Sequence, residues 1–178
     1  MSGQLSIEPA VTTDLYAVSS TVADWHREKL LNPWNPSRQL LASIRAYQQT
    51  TGSLGPISAF RQRWAVVRHH FWSVVTGAEI HLASRIGGGL LLPHPNGIVI
   101  HPDAVIGPNC LIFQQVTLGT GGKKPGVPTL GGHVDVGAGA KILGGVVIGD
   151  HAKIGANAVV LDDVPAGATA VGIPARIV

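Results

Sequence analysis

Aliphatic residues return at every sixth position through the second half of this chain. One frame runs Ile80, Ile86, Leu92 and Ile98. A second, displaced by two residues, runs Ile100, Ile106, Ile112 and Leu118, then resumes at Leu130, Val136, Ile142, Ile148, Ile154 and Val160. In that frame ten of the eleven slots from 100 to 160 are aliphatic and Lys124 is the exception, so chance does not account for the pattern. A period of six with one inward aliphatic per repeat predicts a parallel β-helix. Each short strand buries one face against the coils above and below it. Glycine follows the aliphatic at Gly87, Gly107, Gly119, Gly131, Gly137, Gly149 and Gly155, and is expected to permit the backbone bend at a corner. Three hexapeptides make a coil of about 18 residues, so residues 80–160 supply roughly four and a half coils.

The pattern breaks twice. Two residues are gained between Leu92 and Ile100, across Pro93-His94-Pro95-Asn96-Gly97. The stretch Gly119–Thr129, GTGGKKPGVPT, fills two slots without the pattern. A regular solenoid carries its function where loops leave the prism, so these two segments are the first site candidates.

Residues 1–77 follow a different grammar and predict helices. Val11–Leu31 reads as one, with Asp14 near its start and Asn32-Pro33 ending it. Ser37 is placed to cap a second through Gln49, and Pro56 to open a third reaching Thr76. Arg61, Trp64, Val67, Arg68, Phe71, Trp72 and Val75 fall at helical spacings as one aromatic, partly basic face, read as core or interface rather than a cofactor box. Two regions follow: 1–77, α-helical, and 78–178, a β-helix domain with a C-terminal extension.

Composition sharpens this picture. Charged residues are 13% and aromatics 5%, with all four Trp, both Tyr and two of the three Phe before Gly77. A narrow prism excludes large side chains, which accounts for their scarcity after it. A formal charge of +3 without a dense basic stripe gives no reason to expect nucleic acid. The basic run Arg61–His70 reads as a solvated helix face, with an anionic partner as the lesser alternative. The single Cys110 forbids an internal disulfide and any Cys-based metal cluster, and reads as a small packing residue. The N-terminal stretch MSGQLSIEPAVTTDLY has no apolar core and no apolar run is long enough to span a membrane, so a cytoplasmic location is expected.

Residues 78–178 resemble the serine O-acetyltransferases and their hexapeptide-transferase relatives. The resemblance is carried by EIHLASRIGGGLLLPHPNGIVI, IFQQVTLGTGG and VGAGAKILGGVVIGDHAKIGANAVVLDDVPAGATAVGIPARIV. It implies a left-handed parallel β-helix, a departure from the usual right-handed crossover. It also implies a homotrimer with sites between adjacent prisms, and leaves open a dimer of trimers. The activity implied is acetyl transfer from acetyl-CoA to a hydroxyl of L-serine or a similar small acceptor. That chemistry needs a base near neutral pKa, which imidazole provides. His94 stands at the family's catalytic His. Glu79 stands where the family has a carboxylate, usually Asp, that orients the imidazole. Thr120 and Gly121 match the loop on the coenzyme A side, and Ala138, Gly139, Lys153 and Ala156 match its groove. No metal is expected.

The departures concern the acceptor. Pro93 replaces an Asp before the catalytic His, and Gly126 and Val127 replace an Arg-His pair that helps hold the amino acid. A sugar, polysaccharide or other non-serine hydroxyl is therefore the alternative acceptor. The family's tail for docking on cysteine synthase has no counterpart before Val178, so that complex is not expected. Two remoter readings are a zinc carbonic-anhydrase-like β-helix, using His81, His94, His101 and His133, and a non-catalytic β-helix scaffold.

Overall fold

A computed structural model describes residues 18–52 and 55–178. The predicted prism is present as three parallel sheets with short strands. The first sheet stacks Glu79–Ile80, Val99–Ile100, Thr117–Gly119, Lys141–Leu143 and Val159–Val160. The second stacks Arg85–Ile86, Val105–Ile106, Thr129–Leu130 and Val147–Ile148. The third stacks Leu111–Ile112, Asp135–Val136, Lys153–Ile154 and Thr169–Gly172, closed by the antiparallel strand Ala175–Ile177. In each parallel strand the frame residue points inward, as in the ladder Ile80, Ile100, Leu118, Ile142 and Val160. These side chains are at most 2% exposed. Their burial is the main stabilisation of the domain, at about 1.5–3 kcal/mol per large aliphatic side chain.

Three readings of the repeat are corrected. Ile98 does not continue the first frame. Ile80 pairs with Ile100, and Leu91 bridges to Leu111, so the frame after Leu92 resumes at Ile100. Ile98 instead fills a second inward slot, two residues before the strand aliphatic. Ala104, Cys110, Val116, Val134, Ala140, Val146, Ala152 and Ala158 share that slot, and all are 0% exposed. Burial there pushes the Cys110 thiol up to about 11.

The second correction concerns the loop. Leu118 stacks under Ile142 and Ile106 under Leu130, so only one hexapeptide's worth of chain is looped out, not two. The third concerns glycine. The left-handed bend falls three residues after the aliphatic, at Asn109, Gln115, His133, His151 and Asn157, and at glycines such as Gly139. The glycine directly after the aliphatic answers a close approach instead: a Cβ on Gly87 would lie 2.6 Å from the Pro108 nitrogen, and one on Gly137 2.6 Å from the Ala156 nitrogen.

The helical region has two helices among the described residues, α1 (Pro36–Thr50) and α2 (Pro56–Thr76). Asn35, not Ser37, precedes the first turn of α1, without a side-chain cap; Pro36 stands at the first helical position, where its fixed φ suits the helix and its missing N–H leaves one orphan donor fewer. The Val11–Leu31 helix is not formed over its described part. Residues 18–31 make an irregular strap with one 3₁₀ turn, Trp25–Glu28. Tertiary bonds outcompete helix formation there. Asn109 donates to the Ser19 and Val22 carbonyls at 2.7 and 2.8 Å and accepts from the Asp24 N–H at 2.8 Å. Glu28 accepts from the Gly89 and Leu90 N–H groups and pairs with Arg45 at 2.8 Å. Arg45 also donates to the Ile86 and Gly87 carbonyls. The strap thus ties α1 to the corner between the second and third sheets. Residues 11–17 of the expected helix lie outside the described residues.

Candidate active site

His94 rises from the two-residue insertion at the corner between the third and first sheets. Its coil is twenty residues long, from Ile80 to Ile100, against eighteen for Ile100 to Leu118. The Gly97 N–H donates to the Gly77 carbonyl at 2.9 Å and the Ile98 N–H to the Pro95 carbonyl at 3.2 Å, which fixes the insertion as a tight bulge. His94 is exposed, and among the described residues no hydrogen bond engages its ring. It lines a cleft of about 460 Å³ with Trp34, Asn35, Ser37, Val75, Thr76 and Asn96. Sequence reasoning missed these walls, because they come from the far ends of α1 and α2. Apart from His94, no ionisable side chain among the described residues lines the cleft.

Glu79 opens the first strand. Its N–H donates to the Ile98 carbonyl at 2.8 Å, so it sits against the segment that follows His94. The two side chains do not meet: neither has a hydrogen bond among the described residues, and Glu79 lines a separate cleft with His69, His70 and His81. His69 donates from Nε2 to the Ile80 carbonyl, 2.8 Å away, and burial holds its pKa below the ordinary value.

Three corners stack above the bulge. The Gln115 N–H donates to the Asn96 carbonyl, Gly139 to Gln114 and Asn157 to Ala138, at 2.8–2.9 Å. Ala138, Gly139 and Ala156 therefore share the His94 corner. A Cβ at Gly139 would strike the Asn157 side chain, and φ there is 74°, so the ridge is kept narrow at this level. Lys153 is exposed on the third sheet, on the strand that leads into the same corner. Thr120 and Gly121 lie apart from these, at the other edge of the first sheet.

Their loop is pinned to the coils beyond it. The Gly144 N–H donates to the Gly119 carbonyl at 2.9 Å and Gly145 to Lys124 at 3.0 Å. Lys123 pairs with Asp162 at 2.9 Å and Lys124 with Asp163 at 2.6 Å. The side-chain bond from Lys124 and the Val147 N–H hold the Asp163 carboxyl below its usual range. Both lysines thus have carboxylate partners on the prism. The four histidines considered as zinc ligands do not converge. His133 stands instead against His151, with Nδ1 atoms 2.8 Å apart. Among the described residues no three His, Cys, Asp or Glu side chains form a metal-binding group. No helix among them is long and apolar enough to cross a membrane.

Comparison with known proteins agrees with this geometry. The family "Bacterial transferase hexapeptide (six repeats)" matches residues 128–162. A serine acetyltransferase of Synechococcus elongatus is 47% identical over 124 residues, covering 67% of this chain and 51% of its own length. Soybean serine acetyltransferase complexed with serine superposes with a TM-score of 0.63 at 41% identity, covering 80% of this chain and 56% of that one. The β-helix of this chain belongs to the serine acetyltransferase family. A serine acetyltransferase structure in complex with CoA gives a TM-score of 0.65 at 38% identity, over 82% of this chain and 58% of that one. The chain spans about half the length of the curated relatives it matches.

Proposed function

We propose that this chain transfers an acetyl group from acetyl-CoA to the hydroxyl of L-serine. The observation that carries the reading is the His94 imidazole, without a hydrogen-bond partner among the described residues, in a cleft at the foot of the narrow corner ridge. A free ring nitrogen there is available to take the proton of an acceptor hydroxyl. The oxygen then attacks the thioester carbonyl, and coenzyme A leaves as the thiol, with the proton returned by His94. Backbone N–H groups would hold the oxyanion. Glu79 would orient the imidazole from the neighbouring strand once the site is closed, since catalytic hydrogen bonds are often loose without substrate. Ala138, Gly139, Lys153 and Ala156 would line the path of the coenzyme.

Thr120 and Gly121 stand at the opposite edge of the first sheet from the His94 corner. A homotrimer, in which one copy's loop meets the next copy's His94 corner, would bring the two together. A cytoplasmic location would supply the acetyl-CoA that this reading requires.

The test is thiol release from acetyl-CoA with L-serine, other hydroxy amino acids and neutral sugars offered in turn. Serine should support turnover, and His94→Ala should reduce it by roughly 10² to 10⁴ without loss of fold. Glu79→Gln should reduce it less. Silence with serine but turnover with a neutral alcohol would mean that the base is kept and the acceptor pocket rebuilt. No thiol release with any acceptor would remove the reading.

A further inference from the structure

The sequence suggested one aromatic, basic face on α2; the structure divides it. Ala65, Trp72 and Thr76 are buried on one side, toward α1 and the prism. Ile57, Phe60, Trp64, Val67, Phe71 and Val74 point the other way, each between 54% and 83% exposed. Their spacing alternates three and four residues without a break. That is the a/d seam of a helix that pairs with another helix. The stripe runs roughly 26 Å along the surface at 1.5 Å per residue. Large side chains so arranged mark an interaction site rather than scattered surface residues.

The flanks say what kind of partner fits. Arg61 and Arg68 occupy the e positions, and Arg63 and His70 the g positions. The helix contains no Asp or Glu, and none of these four side chains has a carboxylate partner among the described residues. Arg68 donates to Gln39, and His70 bonds the Val66 carbonyl. A second copy of α2 would set arginine against arginine in either direction, which like charges at e and g disfavour. A membrane-binding helix has a broad apolar face; here arginines border the seam closely on both sides, leaving a strip only two positions wide.

We propose that the outer face of α2 docks an amphipathic helix of another protein, with apolar a and d positions and acidic e and g positions. The apolar seam gives the contact area, and Glu or Asp on the flanks gives the register and direction. The surface shares no residue with the His94 cleft, although His70 at its flank also borders the cleft that holds Glu79.

The experiment uses the full chain and two fluorescent 28-residue peptides with Ile at a and Leu at d. One carries Glu at every e and g position and the other Lys. Fluorescence anisotropy should show saturable binding of the Glu peptide, about tenfold or more tighter than the Lys peptide, and weaker at high salt. In Arg61→Glu/Arg63→Glu, both exposed changes, the preference should invert. Phe60→Glu should abolish binding of both peptides, with circular dichroism confirming the fold of each variant. Equal binding of the two peptides, or none of the Glu peptide, overturns the proposal. So does sedimentation showing an assembly that Phe60→Glu breaks up, which would assign the face to a second copy. Phosphatidylserine vesicles that bind the chain through Phe60 while the Glu peptide does not would overturn it as well.

Discussion

His133 and His151 sit one above the other at a corner, both with left-handed backbone, at φ of 52° and 59°. Asn109 fills the corresponding place one coil below, because its short side chain tolerates that conformation. The two Nδ1 atoms are 2.8 Å apart, so one must donate and the other accept. Burial lowers the His133 pKa; Asp135 opposes this, and His151, Arg27 and Lys153 add to it. The folded state therefore releases the His133 proton more readily than the unfolded chain, whose histidine titrates near 6.5. Between those two values the unfolded state binds more protons, so this stabilisation is present above about pH 6.5 and is lost as pH falls below it. Thermal melts should show the melting temperature falling from pH 7.5 to 5.5. His133→Asn, which keeps the left-handed backbone, should flatten that fall. His69, also lowered by burial, leaves a residual slope. An unchanged slope would exclude His133 as a source.

At the level of single elements, the hexapeptide works through two constraints that the sequence shows unequally. The strand aliphatics at step six were legible because burial of one face requires them. The second inward slot was not, because Ala104, Cys110, Val116 and Ile98 share no single side-chain type, only a position behind the bend. Glycine after the aliphatic was legible as a marker but not in its cause. A Cβ on Gly107 would collide with the Gly131 carbonyl of the next coil, and neither backbone can retreat without breaking its ladder. Gly107→Ala should lower unfolding free energy by about 1–3 kcal/mol in urea titrations, the cost of overpacking. A loss below about 0.5 kcal/mol, within the range of surface substitutions, would mean that coil spacing adjusts freely. The strap shows the converse limit. Its sequence favours a helix, but Asn109, Gly89 and Leu90, sixty or more residues away, claim its polar groups.

For the whole molecule, the prism separates parts that the proposed chemistry needs together. His94 belongs to one edge of the first sheet, and Thr120 and Gly121 to the other. Light scattering should therefore find three chains per particle. A lone chain that still turns over acetyl-CoA would show that the two edges need no neighbour. Of the sites read from the sequence, the bulge and the loop were found because each interrupts a strict repeat. The helix-borne walls of the His94 cleft were not, because Trp34 and Val75 reach it only through the packing of α1 on α2.

The amino-acid sequence by itself determined the prism and the two places where chain leaves it. A repeat that must bury one aliphatic every six residues leaves little freedom in where strands and corners fall. Tertiary structure alone decided the rest. It laid residues 18–31 down as a strap rather than a helix, because bonds to distant corners replace those within a helix. It paired Lys123 and Lys124 with Asp162 and Asp163. It turned one half of the α2 aromatic face inward and left the other as an open seam, because α1 and the prism have room for only one side of that helix.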